Sequence, residues 1–360
     1  MSLYINSIKD NEVLSSYNFA RKAYIVFSEI VTKSQYEALK TPNTLIVEEN
    51  DNSIFYIQRQ FELKENDVIF TNTYFIDILF EALRDLNFRN IKIISSQTDH
   101  FIDKKLFYKK PKAVSYWYST NVCYKNAFLK SIPLGLANDY SPKNLNKLDY
   151  KNFVICEKKV EQIYVNFETN TNYFHRNRLK KSISKNDFFF FEENKIDNLD
   201  YLKKINMFKY VLTPWGNGID SHRVWETLYA ESYPLIPKHY NFYLIFESEN
   251  YLIKRFNNLS NVNLANNFLN YEINHEILNI CYWENKIRMS NKTSYSGCGD
   301  MEKRAAKMCG GKMHRDKKMY GGAMGMAGPQ GGVSNQQPKK GRGRRGAAGM
   351  GRGRMRGRRG

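Results

Sequence analysis

Seven residues with chemistry to offer fall inside one short segment, "TPWGNGIDSHRVWETLYAES" (213–232): Gly216, Asn217, Gly218, Asp220, His222, Arg223 and Glu226. The chain holds 21 glycines, yet only Gly135, Gly216 and Gly218 precede Gly297. Glycine lets a backbone or a ligand approach closely and tolerates positive φ. A chain that avoids glycine and then sets two of them two residues apart invites two readings. One is a tight strand-to-helix turn. The other is a loop whose backbone closes on a phosphate at a helix N-terminus, where free N–H groups and the helix dipole favour anions.

The surroundings suit either reading. The apolar run "KYVLT" (209–213) predicts a strand, and Asp220 or Ser221 would cap the helix that follows. At 100° per residue, His222, Arg223, Glu226 and Ala230 share one arc, while Val224, Trp225, Leu228 and Ser232 lie opposite and should face a sheet. A guanidinium on that arc suits phosphate and a carboxylate suits ribose hydroxyls. The same arc also reads as a solvated helix face with an Arg223–Glu226 pair at i, i+3.

Strand-like runs at 23–30, 44–49, 67–71, 90–96 and 113–119 precede this segment, with a helical pattern at 74–86 between the third and fourth. That strand–helix–strand unit predicts parallel pairing. The alternation restarts with strands at 162–167, 187–193, 209–213 and 233–237. Helices are expected at 170–183, at 198–207 with Asn198 as cap, at 221–232, near 263–270 and at 275–289. Two such sets predict an α/β protein of two Rossmann-like domains facing across a cleft, 1–150 and 151–295. Asp99 and His100 follow the run 90–96, at the end of a strand where sites form; they read either as an ordinary turn or as a general base. Arg176, Arg178, Lys180 and Lys181 add positive field or are solvated helix charge.

Composition changes abruptly near Ser296. From Asp300 onward there are 17 Lys or Arg against 3 Asp or Glu, 8 of the 11 Met, and Val333 as the one Val, Ile, Leu or Phe. Such a segment cannot bury enough apolar surface to offset chain entropy, so 296–360 is expected to be a disordered basic tail. The net charge of +19 comes mostly from it. Cys123, Cys156, Cys281, Cys298 and Cys309 form no Cys-x-x-Cys pair, so no zinc site is expected. The first residues lack an apolar core of signal-peptide length, and no run approaches the ~18 apolar residues of a membrane span. A reducing cytoplasm is the expected setting, with no transmembrane segment.

The stretch "FKYVLTPWGNGIDSHRVWETLYAESYPLIPK" (208–238) resembles the nucleotide-sugar-binding signature of exostosin-like glycosyltransferases. Pro214, Gly216, Asn217, Gly218, Asp220, His222, Arg223, Trp225, Glu226, Leu228 and Pro234 fall in its register. "YVNFETNTN" (164–172) and "SIPLGLAN" (131–138) are weaker echoes. Ser221 and the run Ala230-Glu231-Ser232 depart from the pattern. The resemblance implies a GT-B fold, with a nucleotide-sugar donor held by 151–295 and a glycan or other hydroxyl acceptor held by 1–150. It implies Gly216, Asn217 and Gly218 at the diphosphate, Arg223 on phosphate and Glu226 on ribose. It implies no metal and no other cofactor, in keeping with the absence of an Asp-x-Asp motif. Two other functions fit the sequence: weak nucleic-acid binding by the Arg-Gly run 341–360, and a catalytically dead sugar-binding module.

Overall fold

The apolar runs become strands, and those at Val68–Asn72 and Ile91–Ser96 are buried on both faces, as a parallel strand covered by helices requires, while Thr44–Glu49 stays largely exposed. In a computed structural model, the residues described are 2–87, 89–246, the backbone of 252–253, and 272–290. The expected helix near 263–270 and the tail 296–360 lie outside them. All described residues belong to one compact unit.

The first sheet has seven strands: β1 (Ile25–Val31), β2 (Thr44–Glu49), β3 (Ile54–Gln58), β4 (Val68–Asn72), β5 (Ile91–Ser96), β6 (Val114–Ser119) and β7 (Leu129–Ser131), in the order β2-β3-β1-β4-β5-β6-β7. The expected β–α–β unit is present: β4 and β5 pair in parallel and are joined through α3 (Ile76–Ala82). The sheet is mixed, however, because β3 runs antiparallel to both β1 and β2. "IFYIQ" closes a hairpin with β2 through the turn after Glu49, and its short length hid it among turn residues. A register break between Val26 and Ser28 changes the face that β1 presents. Glu29 consequently meets Arg21 of α1 (Ser16–Lys22) in the interior.

The second sheet contains β8 (Val160–Val165), β9 (Phe189–Phe191), β10 (Phe208–Leu212) and β11 (Tyr233–Pro237), all parallel, with the two-residue β12 (Leu252–Ile253) beyond β11. Its helices are α5 (Tyr173–Ile183), α6 (Asn198–Met207), α7 (His222–Tyr229) and α8 (Tyr240–Phe246). The cap of α6 is Asp197, whose carboxylate accepts from Asp200 N at 2.8 Å; Asn198 is the first helical residue. Two short helices, α2 (Lys33–Leu39) and α4 (Lys104–Phe107), complete the first half, and α9 (Ile280–Met289) ends the described chain.

The two sheets share one core. Phe70, Ile94 and Tyr118 of the first pack in the same cluster as Leu202, Val211 and Trp225 of the second. The segment Ala137–Tyr150 crosses over α7, and Leu145 and Tyr150 enter that cluster fully buried. Helix α9 returns to the first half, where Lys22 of α1 bonds Glu284 at 3.0 Å. Among the described residues no helix is long and apolar enough to cross a membrane.

Candidate functional site

The carboxyl ends of the two sheets meet. Asn121, just past β6, accepts from the N–H groups of Ile219 (2.8 Å) and Asp220 (3.0 Å), just past β10. Leu134, just past β7, donates to Asp220 at 2.9 Å, and Gly135 O lies 2.7 Å from His222 Nδ1. The glycine loop is therefore the seam between the sheets. Its far side is held by α5, where Arg176 Nε donates to Trp215 O (2.8 Å) and Asn172 Nδ2 donates to Gly216 O (3.0 Å).

This placement assigns the three body glycines different duties. Gly218 is small because Asn121 is there: an added Cβ would lie 2.8 Å from Asn121 Oδ1. A Cβ on Gly216 would make only ordinary contacts, with Arg176 Nη2 at 3.8 Å and Thr171 Cγ2 at 3.9 Å. Neither has positive φ. Gly135 does (φ +75), and a Cβ there would sit 2.2 Å from Leu14 O. The glycine the motif did not single out is the one the backbone requires.

Asp220 is not a free cap. It is buried, accepts from Trp225 Nε1 (2.9 Å) and Leu134 N, and burial raises its carboxyl to about 7 against those donors. The helix starts from Ser221 with no side-chain cap; Val224 N bonds Ser221 O at 3.1 Å, and the N–H groups of His222 and Arg223 have no side-chain acceptor among the described residues. The predicted arc is not an open face either. The crossing segment and α6 cover the helix, so Glu226 and Ala230 are buried along with Val224, Trp225 and Leu228. Glu226 accepts from Leu145 N (3.3 Å) and Tyr201 OH (3.2 Å), and burial raises its pKa. It lies in the interior, and no ion pair joins it to Arg223 among the described residues; the i, i+3 surface pair is replaced by these contacts.

His222 and Arg223 alone on that arc are half-exposed. Arg223 donates from Nε to Tyr201 OH at 3.2 Å, with its guanidinium 5.6 Å from the centre of the Tyr201 ring. Arg176 is buried, donating from Nη1 to Glu168 O (2.9 Å) as well as from Nε to Trp215 O. The two arginines sense each other: burial first, then the charge of Arg223, pulls Arg176 down to about 10. Among the described residues neither has a carboxylate within ion-pair distance. Nη2 of Arg176 and both terminal nitrogens of Arg223 meet no acceptor there. Trp215 adds a buried Nε1 donor without a partner, its ring 5.2 Å from His239 and 6.0 Å from His175. The site is a concentration of donors lacking acceptors among the described residues, next to the side-chain-free backbone of Gly216.

Asn217 is exposed at the loop tip. Asp99 and His100 are exposed past β5, on the same side as the seam; the Asp99 charge reaches His222. His100 sits 6.1 Å from the Tyr74 ring and joins no other site residue. Of the basic residues of α5, Arg178, Lys180 and Lys181 are exposed helix charge, while Arg176 belongs to the site. Trp215, Tyr201 and Asn121 carried no spacing signal. An Asn after a strand and a Trp in a loop are ordinary, and their partners lie far away in sequence. No protein-family model matches the chain, and no curated protein matches it.

Proposed function

We propose that the protein moves a sugar from a nucleotide-sugar donor to a hydroxyl acceptor in the seam between the two sheets, in a two-domain arrangement of GT-B type. The observation that carries this reading is the set of unused donors beside the glycine loop: Nη2 of Arg176, the terminal nitrogens of Arg223 and Nε1 of Trp215, on two arginines that sense each other's charge and have no carboxylate within ion-pair distance among the described residues, and on the tryptophan beside them. Two cations in a partly dry site repel, and a diphosphate is the group that turns the repulsion into attraction. The uncapped first turn of α7 adds N–H groups and a favourable dipole at the same place. Gly216 puts no side chain before Arg176 Nη2, which would lie 3.8 Å from a Cβ there, and this leaves room for a phosphate oxygen.

The leaving nucleoside diphosphate gathers negative charge as the glycosidic bond to phosphate breaks. Arg176, Arg223 and the helix N-terminus are set in advance where that charge appears, so transfer proceeds without a metal. The meeting of the carboxyl ends supports an acceptor approaching from the first sheet. The three described cysteines are free, which suits a reducing cytoplasm.

Titration with UDP and GDP tests the reading, followed by turnover of nucleotide sugars. Arg223→Ala removes charge-assisted hydrogen bonds of roughly 1.5–3 kcal/mol, so affinity should fall about 10- to 100-fold. Gly216→Val should fall similarly by filling the space before Arg176, while Arg178→Ala, on the exposed face of α5, should bind as wild type does. Wild-type protein that binds neither nucleotide, or folded Arg223→Ala and Gly216→Val that bind like wild type, would refute the assignment.

A further inference from the structure

We propose that His222, through Nε2, is the general base that takes the proton from the acceptor hydroxyl, with Gly135 fixing its tautomer and Asp99 supporting its charge. This rests on the transferase reading above. The ring is the first residue of α7 and lies in the seam, adjacent in sequence to Arg223 and joined to the segment after β7. The partner of Nδ1 is a backbone carbonyl, which can only accept. Nδ1 must therefore carry the proton, and Nε2 keeps its lone pair. Nε2 meets no donor among the described residues. A base positioned by one hydrogen bond, with a second nitrogen that meets no donor among the described residues, is the arrangement that proton abstraction needs.

The charged surroundings are simple. Asp99, past β5, is the group whose charge reaches the ring and favours the imidazolium. The segment around Gly135 presents its carbonyl. Asp220 is turned to Trp225 and Leu134, and Arg223 to Tyr201. Burial opposes Asp99 and holds the imidazole below its usual pKa, so the ring is neutral and ready to accept at neutral pH. In the step itself the acceptor O–H proton passes to Nε2. The acceptor oxygen then forms a bond to the anomeric carbon, and the bond from that carbon to the diphosphate oxygen breaks. Its electron pair leaves with the nucleoside diphosphate at Arg176 and Arg223. The imidazolium afterwards returns its proton to water.

The test pairs His222→Gln with wild type and Asp99→Asn. Gln matches the reach of Nε2 but has no basic nitrogen. UDP and GDP titration of His222→Gln should stay within about 3-fold of wild type while kcat falls about 100- to 10,000-fold. The acidic limb of the wild-type kcat/KM profile should vanish in His222→Gln and move to lower pH in Asp99→Asn. Long-range ¹H–¹⁵N spectra of the wild type should show His222 as the neutral Nδ1–H form, a readout independent of turnover and of whether the Gln variant folds. A His222→Gln enzyme that binds nucleotide and turns over undiminished, or a His222 resonance protonated on Nε2 at neutral pH, overturns the base alone. Wild-type protein that binds no nucleoside diphosphate overturns the transferase reading, and the base with it.

Discussion

Gly135 and Gly216 answer to different forces, although the sequence offers them as the same residue type. At Gly135 the chain after β7 turns with φ +75 and presses against Leu14, whose carbonyl accepts from Leu136 N at 2.8 Å. A methyl group there meets backbone atoms of Leu14 at 2.2 and 2.5 Å, and backbone cannot rotate aside as a side chain can. Left-handed conformation alone costs a non-glycine residue about 1–2 kcal/mol, and the displaced backbone adds to that. Gly135→Ala should therefore lower stability by more than about 2 kcal/mol. Gly216→Ala meets only ordinary contacts, with no positive φ to relieve, and should change stability by less than about 0.5 kcal/mol. Chemical denaturation midpoints of the two variants check this pair. A Gly135→Ala protein as stable as Gly216→Ala would mean that the segment after β7 yields more readily than its packing implies.

At the scale of elements, amphipathic pattern was a good guide to type and a poor guide to exposure. The strands 44–49 and 233–237 and the helix 198–207 run as their residue patterns predict; the helix buries one face through Tyr201, Leu202 and Ile205, 233–237 is buried through Pro234, Leu235 and Ile236, and the largely exposed 44–49 is held by its pairing with β3. The short α1 and α8 were not legible: "SYNFARK" is too polar, and "YNFYLIF" too continuously apolar, to show a helical period. Helix α7 was legible as a helix but not as a buried one, since its covering segment, Ala137–Tyr150, has little regular structure and no periodicity to announce it. Lys92 shows the same limit from the other side. It sits in the all-buried β5 and donates to the last carbonyls of α9, Ile287 O at 2.6 Å and Arg288 O at 3.0 Å. Those carbonyls stand at the negative end of the helix dipole, and Ile287 O also accepts from Ser290 Oγ at 2.8 Å. Lys92→Met keeps the volume and removes the donor, so stability should fall by about 2–3 kcal/mol at neutral pH. Burial draws Lys92 down to about 8 from 10.5. Between those values the unfolded chain binds more protons than the folded one, so the contribution of Lys92 to stability should rise with pH across that window and vanish in Lys92→Met. Denaturation at pH 7, 8.5 and 10 reads both effects; equal midpoints for wild type and variant would show that α9 holds its place without this cap.

For the whole molecule, the decisive contact is the one that makes two sheets into one body. The core cluster alone would let them slide, because apolar contact is non-directional. Asn121 supplies direction. With φ +56 it turns the chain after β6 so that its amide oxygen accepts from both Ile219 and Asp220, while its amide nitrogen donates to Thr98 O at 3.1 Å. One side chain thus joins the ends of β5, β6 and β10, and its bulk is what Gly218 makes room for. Asn121→Ala strands two buried N–H groups, which should lower stability by about 2–4 kcal/mol. Gly218→Ala in the wild-type background forces its methyl to within 2.8 Å of that amide and should break the same bonds from the other side. Once the Asn side chain is gone, however, the methyl enters the space it vacated. The two substitutions should therefore be non-additive, the double variant being more stable than the sum of the singles predicts by about 1–3 kcal/mol. Denaturant unfolding of the four proteins, followed by both circular dichroism and tryptophan fluorescence, measures that coupling. Additivity within about 0.5 kcal/mol would show that the loop and Asn121 do not share this contact in solution, and that the seam is held by the apolar core and the bonds of Leu134 and Gly135 to the loop.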